Sequence, residues 1–365
     1  MNVSIIRNNG ELASLEQEWN QLLGSSAADT IFLTWEWVSS WLEVQPENLE
    51  LFVIVIRDRK NGLLAVAPFY KTRYRLLKCI NVSVLRILGD VSSGAEYGNV
   101  LIREGHERVA ADRIGECLDE ARSEWDIVWI PNIAKWRSSY KVLRSVFENR
   151  QLSNRERTRQ FSSAALPPRS EDFLSAMSAN RRQQLRRTCR KVSRNPNIKV
   201  VQVSDPDRLQ HYLDVLFELH ARRWGTRGDA GSFARDARLK AFYYSFAPKA
   251  LLRGWLRMIA LTDGDRVIAI QYGFRYGDTY MQLQEGFDPN GVNGSGTALR
   301  KAGIDIFIDE SITEYDFLGG FTEHKRRWLA LERQGCDTLA ANHRLLSRLI
   351  FSSGIWPTGR FLKPV

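Results

Sequence analysis

Two stretches of the chain share one layout, and that repetition is the strongest limit on how it can fold. IVIRDRKNGLLAVAPF (54–69) and MIALTDGDRVIAIQYGF (258–274) each read as apolar strand, charged turn, apolar strand. Glu124-Trp125-Asp126 and Glu314-Tyr315-Asp316 each open a buried strand after a helix, about 190 residues apart. A period this long excludes a solenoid and points to two copies of one α/β domain. Each copy reads as strand, two helices, three strands, helix, strand, helix or loop, strand, which predicts a mixed sheet flanked by helices. A length of 365 residues agrees with roughly two domains. Their expected bounds are 1–168 and 169–345, with a C-terminal tail over 346–365.

Only the second copy carries a glycine-rich loop. Gln284 to Leu318 reads as strand, loop, helix, strand, with Gly291, Gly294 and Gly296 free to turn tightly and approach a ligand. Thr297 to Ser311 then places apolar residues at 299, 302, 303, 306 and 307, the spacing of one buried helical face. Free amides at a helix start behind a glycine loop form an anion site. Arg300 and Lys301 oppose the helix dipole there, a conflict that a bound phosphate would relieve. An ordinary loop with two solvated basic residues is the other reading. At the matching place the first copy has Glu104-Gly105-His106-Glu107, which repels phosphate, so any cofactor belongs to the second half.

The periodicity also predicts one long helix over 170–194. Leu174, Leu185, Thr188, Cys189 and Val192 fall on one side of it, and seven arginines and lysines between Arg181 and Arg194 cover the rest. Such a helix packs a narrow stripe on the core and turns a basic face to solvent, to phosphates or to an anionic membrane surface. The formal charge of +10 fits such partners without choosing among them. Nucleic acid is disfavoured, because the basic residues lack interleaved aromatics. Cys79, Cys117, Cys189 and Cys336 lie far apart and read as reduced thiols, with neither a disulfide framework nor a zinc site. The N-terminus lacks a signal-peptide core, and no apolar run approaches the ~18 residues of a membrane span. A cytoplasmic protein is expected, with peripheral contact at the inner membrane face through 181–194.

The element order, with its glycine turn after the fourth strand, resembles the GNAT acyltransferase fold, and two such domains in tandem resemble the FemAB-like arrangement. More closely, the chain is similar to the CelD-like (cellulose-biosynthesis-type) acetyltransferases. NRRQQLRRTCRKVSR, FDPNGVNGSGTALRKAG and YDFLGGFTEHKRRW carry that likeness, which runs from about Trp35 to Trp328. The resemblance implies acetyl-CoA or another acyl-CoA as co-substrate, no metal, and an amine or hydroxyl acceptor from cell-envelope or exopolysaccharide synthesis. The family's Q/R-x-x-G-x-G/A loop corresponds to Gly291, Val292, Asn293, Gly294, Ser295 and Gly296, with Thr297 and Arg300 following. Glycine at the first position removes one side-chain contact and leaves the backbone ones. Met281 to Phe287 is expected to splay from Tyr315 to Leu318 and admit the pantetheine arm.

Direct attack on a thioester needs a proton acceptor, and the resemblance offers several. Glu285, on an otherwise apolar strand, comes first, with a paired strand-end carboxylate as its bland alternative. Glu96 and Tyr97 in the small-residue loop of the first half come second. His324 is a third candidate because its ordinary pKa is near neutrality. Asp316 reads as structural, and Trp224 with Arg222 and Arg223 as acceptor-lining. Two other functions stay open: an aminoacyl-tRNA-dependent ligase of the FemAB sort, against which stands the lack of a heptad run, and a non-catalytic scaffold for a polysaccharide synthase.

Overall fold

A computed structural model of the chain describes residues 1–46, 48–226, 228–358 and 362–364. The first elements are β1 (Asn2–Ile6), α1 (Asn9–Ala13), α2 (Glu16–Gly24) and α3 (Trp35–Glu43). Strands β2 (Glu50–Arg57), β3 (Leu63–Leu76), β4 (Ile80–Ile87) and the short β5 (Leu101–Ile102) follow. Next come α4 (Glu107–Glu120), β6 (Ile127–Ile133), α5 (Ser139–Glu148) and β7 (Ser153–Ala165). Helices α6 (Ser170–Ser175) and α7 (Ala179–Ser193) precede β8 (Ile198–Gln202). After α8 (Pro206–Gly225), α9 (Ser232–Arg235) and α10 (Ala237–Leu252) come β9 (Leu256–Asp263), β10 (Arg266–Tyr276) and β11 (Thr279–Phe287). The last elements are α11 (Ser295–Asp309), β12 (Glu314–Gly319), α12 (Glu323–Arg326), β13 (Leu331–Ala341), α13 (Leu345–Ser352) and β14 (Leu362–Pro364).

The chain divides into two compact units, one of Met1–Val91, Ala95–Arg159 and Gln334–Val365, the other of Ser92–Gly94 and Gln160–Arg333. In the first, strands lie in the order β1-β2-β3-β4-β6-β13, antiparallel except for the parallel pair β4/β6. In the second, the order is β8-β9-β10-β11-β12-β7, with β11/β12 as the parallel pair in the same place. The expected mixed α/β sheet is therefore present twice, with one topology.

The division differs from the expected bounds at 168/169 and 345/346. In each unit the sixth strand comes from the opposite half of the sequence. Cys336 to Ala341 of β13 pair with Ile133 to Ile127 of β6, and Phe161 to Ala165 of β7 pair with β12. The C-terminal residues are no tail: Leu339, Ile350 and Leu362 are buried with Tyr74, Val82, Val84, Ile127 and Trp129. An unpaired strand edge must find hydrogen-bond partners, and hydrophobic periodicity does not say which distant segment supplies them.

The helix predicted over 170–194 is two helices. Ser178 takes an extended backbone and its Oγ accepts a hydrogen bond from the Arg181 amide at 3.3 Å, so α7 starts afresh there. Arg182 closes the end of α6 by donating to the carbonyls of Ser175 (2.8 Å) and Met177 (3.1 Å). The apolar stripe behaves as expected: Leu185 and Val192 are buried against the core, with Leu174 and Cys189 at its edge. Arg186, Arg187, Arg190, Lys191 and Arg194 are exposed.

Truncation after Arg333 tests the division. Burial of a side chain such as Leu339, Ile350 or Leu362 is worth about 1.5–3 kcal/mol against roughly 5–15 kcal/mol for a whole domain. The truncated chain is expected to lose the cooperative unfolding transition of the first unit in calorimetry. An unchanged unfolding enthalpy would contradict the assignment of these residues to that unit.

Candidate active site

In the second unit the parallel strands β11 and β12 pair only from Thr279/Glu314 to Met281/Asp316. Beyond that register β11 continues to Phe287 unpaired with β12, so the strands part later than expected, Met281 still facing Asp316. The β12 ladder also shifts between Asp316 and Gly319, where Leu318 has φ 58° and its amide is held by Asp316 Oδ1 at 2.8 Å. Lys325 Nζ caps the same bend, donating to the carbonyls of Phe317 (2.8 Å) and Gly320 (2.9 Å).

The loop that follows β11 is anchored at its first residue. Asp288 is buried, pairs with Arg266, and accepts from the amide of Asn290 at Oδ1 (3.0 Å) and of Gly291 at its carbonyl (3.2 Å). Helix α11 begins after Gly294, whose φ of 95° and whose approach to α7 both exclude a side chain. A Cβ there would lie 2.5 Å from Thr188 Cγ2. Among the described residues the amides of Val292, Asn293, Gly294, Gly296 and Thr297 make no hydrogen bond within the chain. No acidic residue stands in the first turn of α11, so the positive end of its dipole is uncompensated.

Arg300 does not serve that helix start. It is buried, and its guanidinium turns inward to Glu285 and to Nε2 of His324, with the rings of Phe317 and Trp328 each 5.6 Å away. The dipole conflict expected from the sequence is thus met by a carboxylate of β11. Lys301 pairs with Asp305 at 2.5 Å.

Glu285 is the centre of this cluster. It accepts from Arg300, from Arg223 Nη1 at 2.8 Å and from Gln282 Nε2 at 3.0 Å, with Gln271 Nε2 at 3.5 Å. Arg223 gets there because Gly286 lets α8 cross β11 closely; a Cβ on it would lie 2.8 Å from Leu219 Cβ. Gln282 in turn accepts from the Tyr315 hydroxyl at 2.7 Å. Burial alone would raise the pKa of Glu285, but the Arg300 and Arg223 charges override it and hold the carboxyl at about 2. A carboxylate held so low is a weak proton acceptor at neutral pH. The geometry makes Glu285 a clamp between two guanidiniums, the bland alternative of the sequence reading.

His324 sits on the single turn α12. Burial of its inner edge and then the Arg300 charge depress its pKa to about 4, so the imidazole is neutral at neutral pH. Because arginine only donates, Nε2 is the accepting nitrogen and the ring proton lies on Nδ1. Glu285, Arg300 and His324 are therefore brought together. Glu96 and Tyr97 belong to the first unit. Tyr97 is buried with φ 60°, its ring 5.9 Å from Phe32 and 5.5 Å from Trp136, and Glu96 lines a small space with Phe32 and Ile87. Gln271, Gln282 and Tyr315 escaped the sequence reading. Their signal is an amide or hydroxyl among the apolar residues of a strand, visible in VIAIQYGF, YMQLQEGF and EYDFL. Among the described residues, no three His, Cys, Asp or Glu side chains gather as metal ligands.

Residues 179–326 match the family model described as Acetyltransferase (GNAT) domain. The chain is a transferase with a GNAT-type domain. Among solved structures, FemX aligns over 96% of this chain and 100% of its own, with TM-score 0.66 and 10% identity. The C-terminal domain of a putative lysylphosphatidylglycerol synthetase from Agrobacterium fabrum aligns over 94% and 96%, with TM-score 0.53 and 9% identity. A tandem GNAT protein from the clavulanic acid biosynthesis pathway aligns over 94% and 100%, with TM-score 0.50 and 11% identity. At such identities the likeness is one of fold, and it extends the GNAT architecture to the whole chain. No curated protein matches it.

Because the pKa of Glu285 in the fold lies below its ordinary value of 4.5, its stabilisation is complete above that value and fades as pH falls towards 2. Glu285→Gln is expected to cost on the order of 3 kcal/mol at neutral pH, since it leaves Arg300 buried without a counter-charge. It should also flatten the loss of stability between pH 5 and pH 2 that the unmodified chain shows in urea titrations, all three values being approximate. Equal acid sensitivity of the two proteins would refute the clamp.

Proposed function

We propose that the second unit transfers an acyl group from acyl-CoA directly to an amine or hydroxyl. The observation that carries this reading is the row of unpartnered amides at Val292, Asn293, Gly294, Gly296 and Thr297, opening a helix with no acid in its first turn. Backbone N–H groups so placed suit a diphosphate. The parting of β11 from β12 after Met281/Asp316 leaves strand edges that suit the amides of a pantetheine arm. Beside that gap, two guanidiniums against the single Glu285 carboxylate give a local positive excess, which favours the oxyanion that develops when a thioester is attacked. On this reading Glu285 positions Arg223 and Arg300, and His324 stands at the acceptor side as a neutral imidazole. Glu96 and Tyr97 have no role in it.

Acetyl-CoA is the donor we favour, with a cell-envelope or exopolysaccharide precursor as acceptor. The support for that acceptor is the likeness of the quoted motifs to CelD-like acetyltransferases. The exposed Arg186, Arg187, Arg190, Lys191 and Arg194 of α7 suit contact with an anionic membrane surface; none of the described helices is long and apolar enough to cross a membrane. The same basic face, with the fold likeness to FemX, favours one second reading, an aminoacyl-tRNA-dependent ligase.

Acetyl-CoA at 100 times its dissociation constant is expected to stabilise the chain by about 2.7 kcal/mol in a thermal-shift titration. Asn293 is exposed, so Asn293→Asp adds a charge at the loop without disturbing the core and should weaken that binding at least about tenfold. No shift at millimolar acetyl-CoA would overturn the donor. Transfer activity that depends on added aminoacyl-tRNA and disappears with ribonuclease would establish the second reading instead.

A further inference from the structure

In the second unit the first turn of α7 and the segment around α12 line an open cleft of about 500 Å³. Arg181, Arg326, Arg327 and Glu323 supply its charged wall, and Met177 and Leu329 an apolar part. The one carboxylate is shared: Arg326 Nε donates to Glu323 Oε2 at 2.8 Å, and Arg327 Nε lies 3.5 Å from Glu323 Oε1. Arg181 directs Nε to the Arg327 carbonyl (3.4 Å) and Nη1 to Gln184 (3.1 Å), and has no carboxylate partner among the described residues. Its guanidinium lies 5.3 Å from the centre of the Trp328 ring, the ring that Arg300 also approaches. Burial, then the neighbouring Arg327 and Arg300 charges, lower its pKa, which marks a cation held among cations.

Three guanidiniums against one carboxylate leave this cleft with an excess of two positive charges. Helix α7 adds to the same sign, since it starts here with no acid in its first turn. We propose that the cleft binds a phosphate group of a substrate, as a second anion site apart from the α11 loop. A phosphate dianion matches the two-charge excess, whereas a carboxylate matches half of it. Guanidinium forks bind phosphate oxygens in pairs, and the volume is that of small-ligand sites. The phosphate has two possible sources, the ribose 3′-phosphate of CoA or a phosphate on the acceptor. Only the first of these rests on the acyl-CoA reading above.

Isothermal titration of the full chain with inorganic pyrophosphate tests the site. The unmodified chain should show two sites. Arg181→Ala and Arg327→Gln should each weaken one of them about tenfold or more, and Asn293→Asp should weaken the other. The Arg327 side chain is 57% exposed, so its replacement leaves the fold intact even if Arg181→Ala does not. Pyrophosphate affinities unchanged in both arginine variants, or no binding by the unmodified chain, would overturn the proposal. Loss of only the Asn293-sensitive site would count against the α11 loop and leave this cleft standing. Given the arginine effect, CoA and 3′-dephospho-CoA separate the sources. A loss confined to CoA assigns the donor's 3′-phosphate, and equal affinities in the variants assign the acceptor's phosphate; either confirms a phosphate site.

Discussion

The second unit depends on one partly buried carboxylate held between two guanidiniums. Glu285 ties β11 to α8 through Arg223 and to α11 through Arg300, and Arg300 extends the tie to α12 through His324. Removing such charges from water costs several kcal/mol per ion, so the cluster persists only if its remaining lone pairs are met. Gln282 and Gln271 meet them, and Tyr315 fixes Gln282 in turn. The cluster lies where β12 leaves β11. The ladder that would otherwise hold these strands together is absent there, and the charges hold the surrounding helices instead.

Much of this was legible in the sequence. Strand–turn–strand units at 54–69 and 258–274 announced two copies, and both copies have one strand order with one parallel pair. The α11 helix and its glycine entrance were read from spacing alone, because tight turns and apolar stripes are local properties. Gly294 shows the limit of that reading. Its place in the loop fits a ligand-binding turn, yet the close contact with Thr188 of α7 already requires glycine there. The direction of Arg300 was hidden, since nothing local reveals a carboxylate fifteen residues earlier that faces it. The exchange of β7 and β13 between the units was hidden for the same reason, as was the break at Ser178, which helical periodicity counts as one more surface residue.

The two units share a topology and differ in electrostatics. In the first, Arg86 pairs with Asp90 at 2.8 Å, Tyr70 donates to Asp90 at 2.9 Å, and Arg86 donates to Tyr74 at 2.7 Å while lying over Trp129. One cation meets one anion, and the cluster is closed. Helix α4 opens with Glu107, so its dipole is answered from within the chain. In the second unit α11 opens without an acid, and the Glu285 cluster keeps one cation in excess. The two units keep one sheet topology, and the proposed anion sites lie in the unit whose charges do not cancel.

On the proposed acyl-transfer reading, that imbalance also gives a carboxylate with a pKa near 2 a use at the site. A base of ordinary strength there would take up a proton as pH fell, and Arg223 and Arg300 would lose the anion that orients them. Held ionised, Glu285 fixes both guanidiniums before any substrate arrives. Charge developing on a substrate oxygen then meets dipoles and cations that need not reorganise, which is the condition under which such groups lower a barrier most. On that reading the clamp contributes field and position, and the proton leaves to solvent or to a group on the acceptor, since a carboxylate held near 2 is a weak proton acceptor at neutral pH.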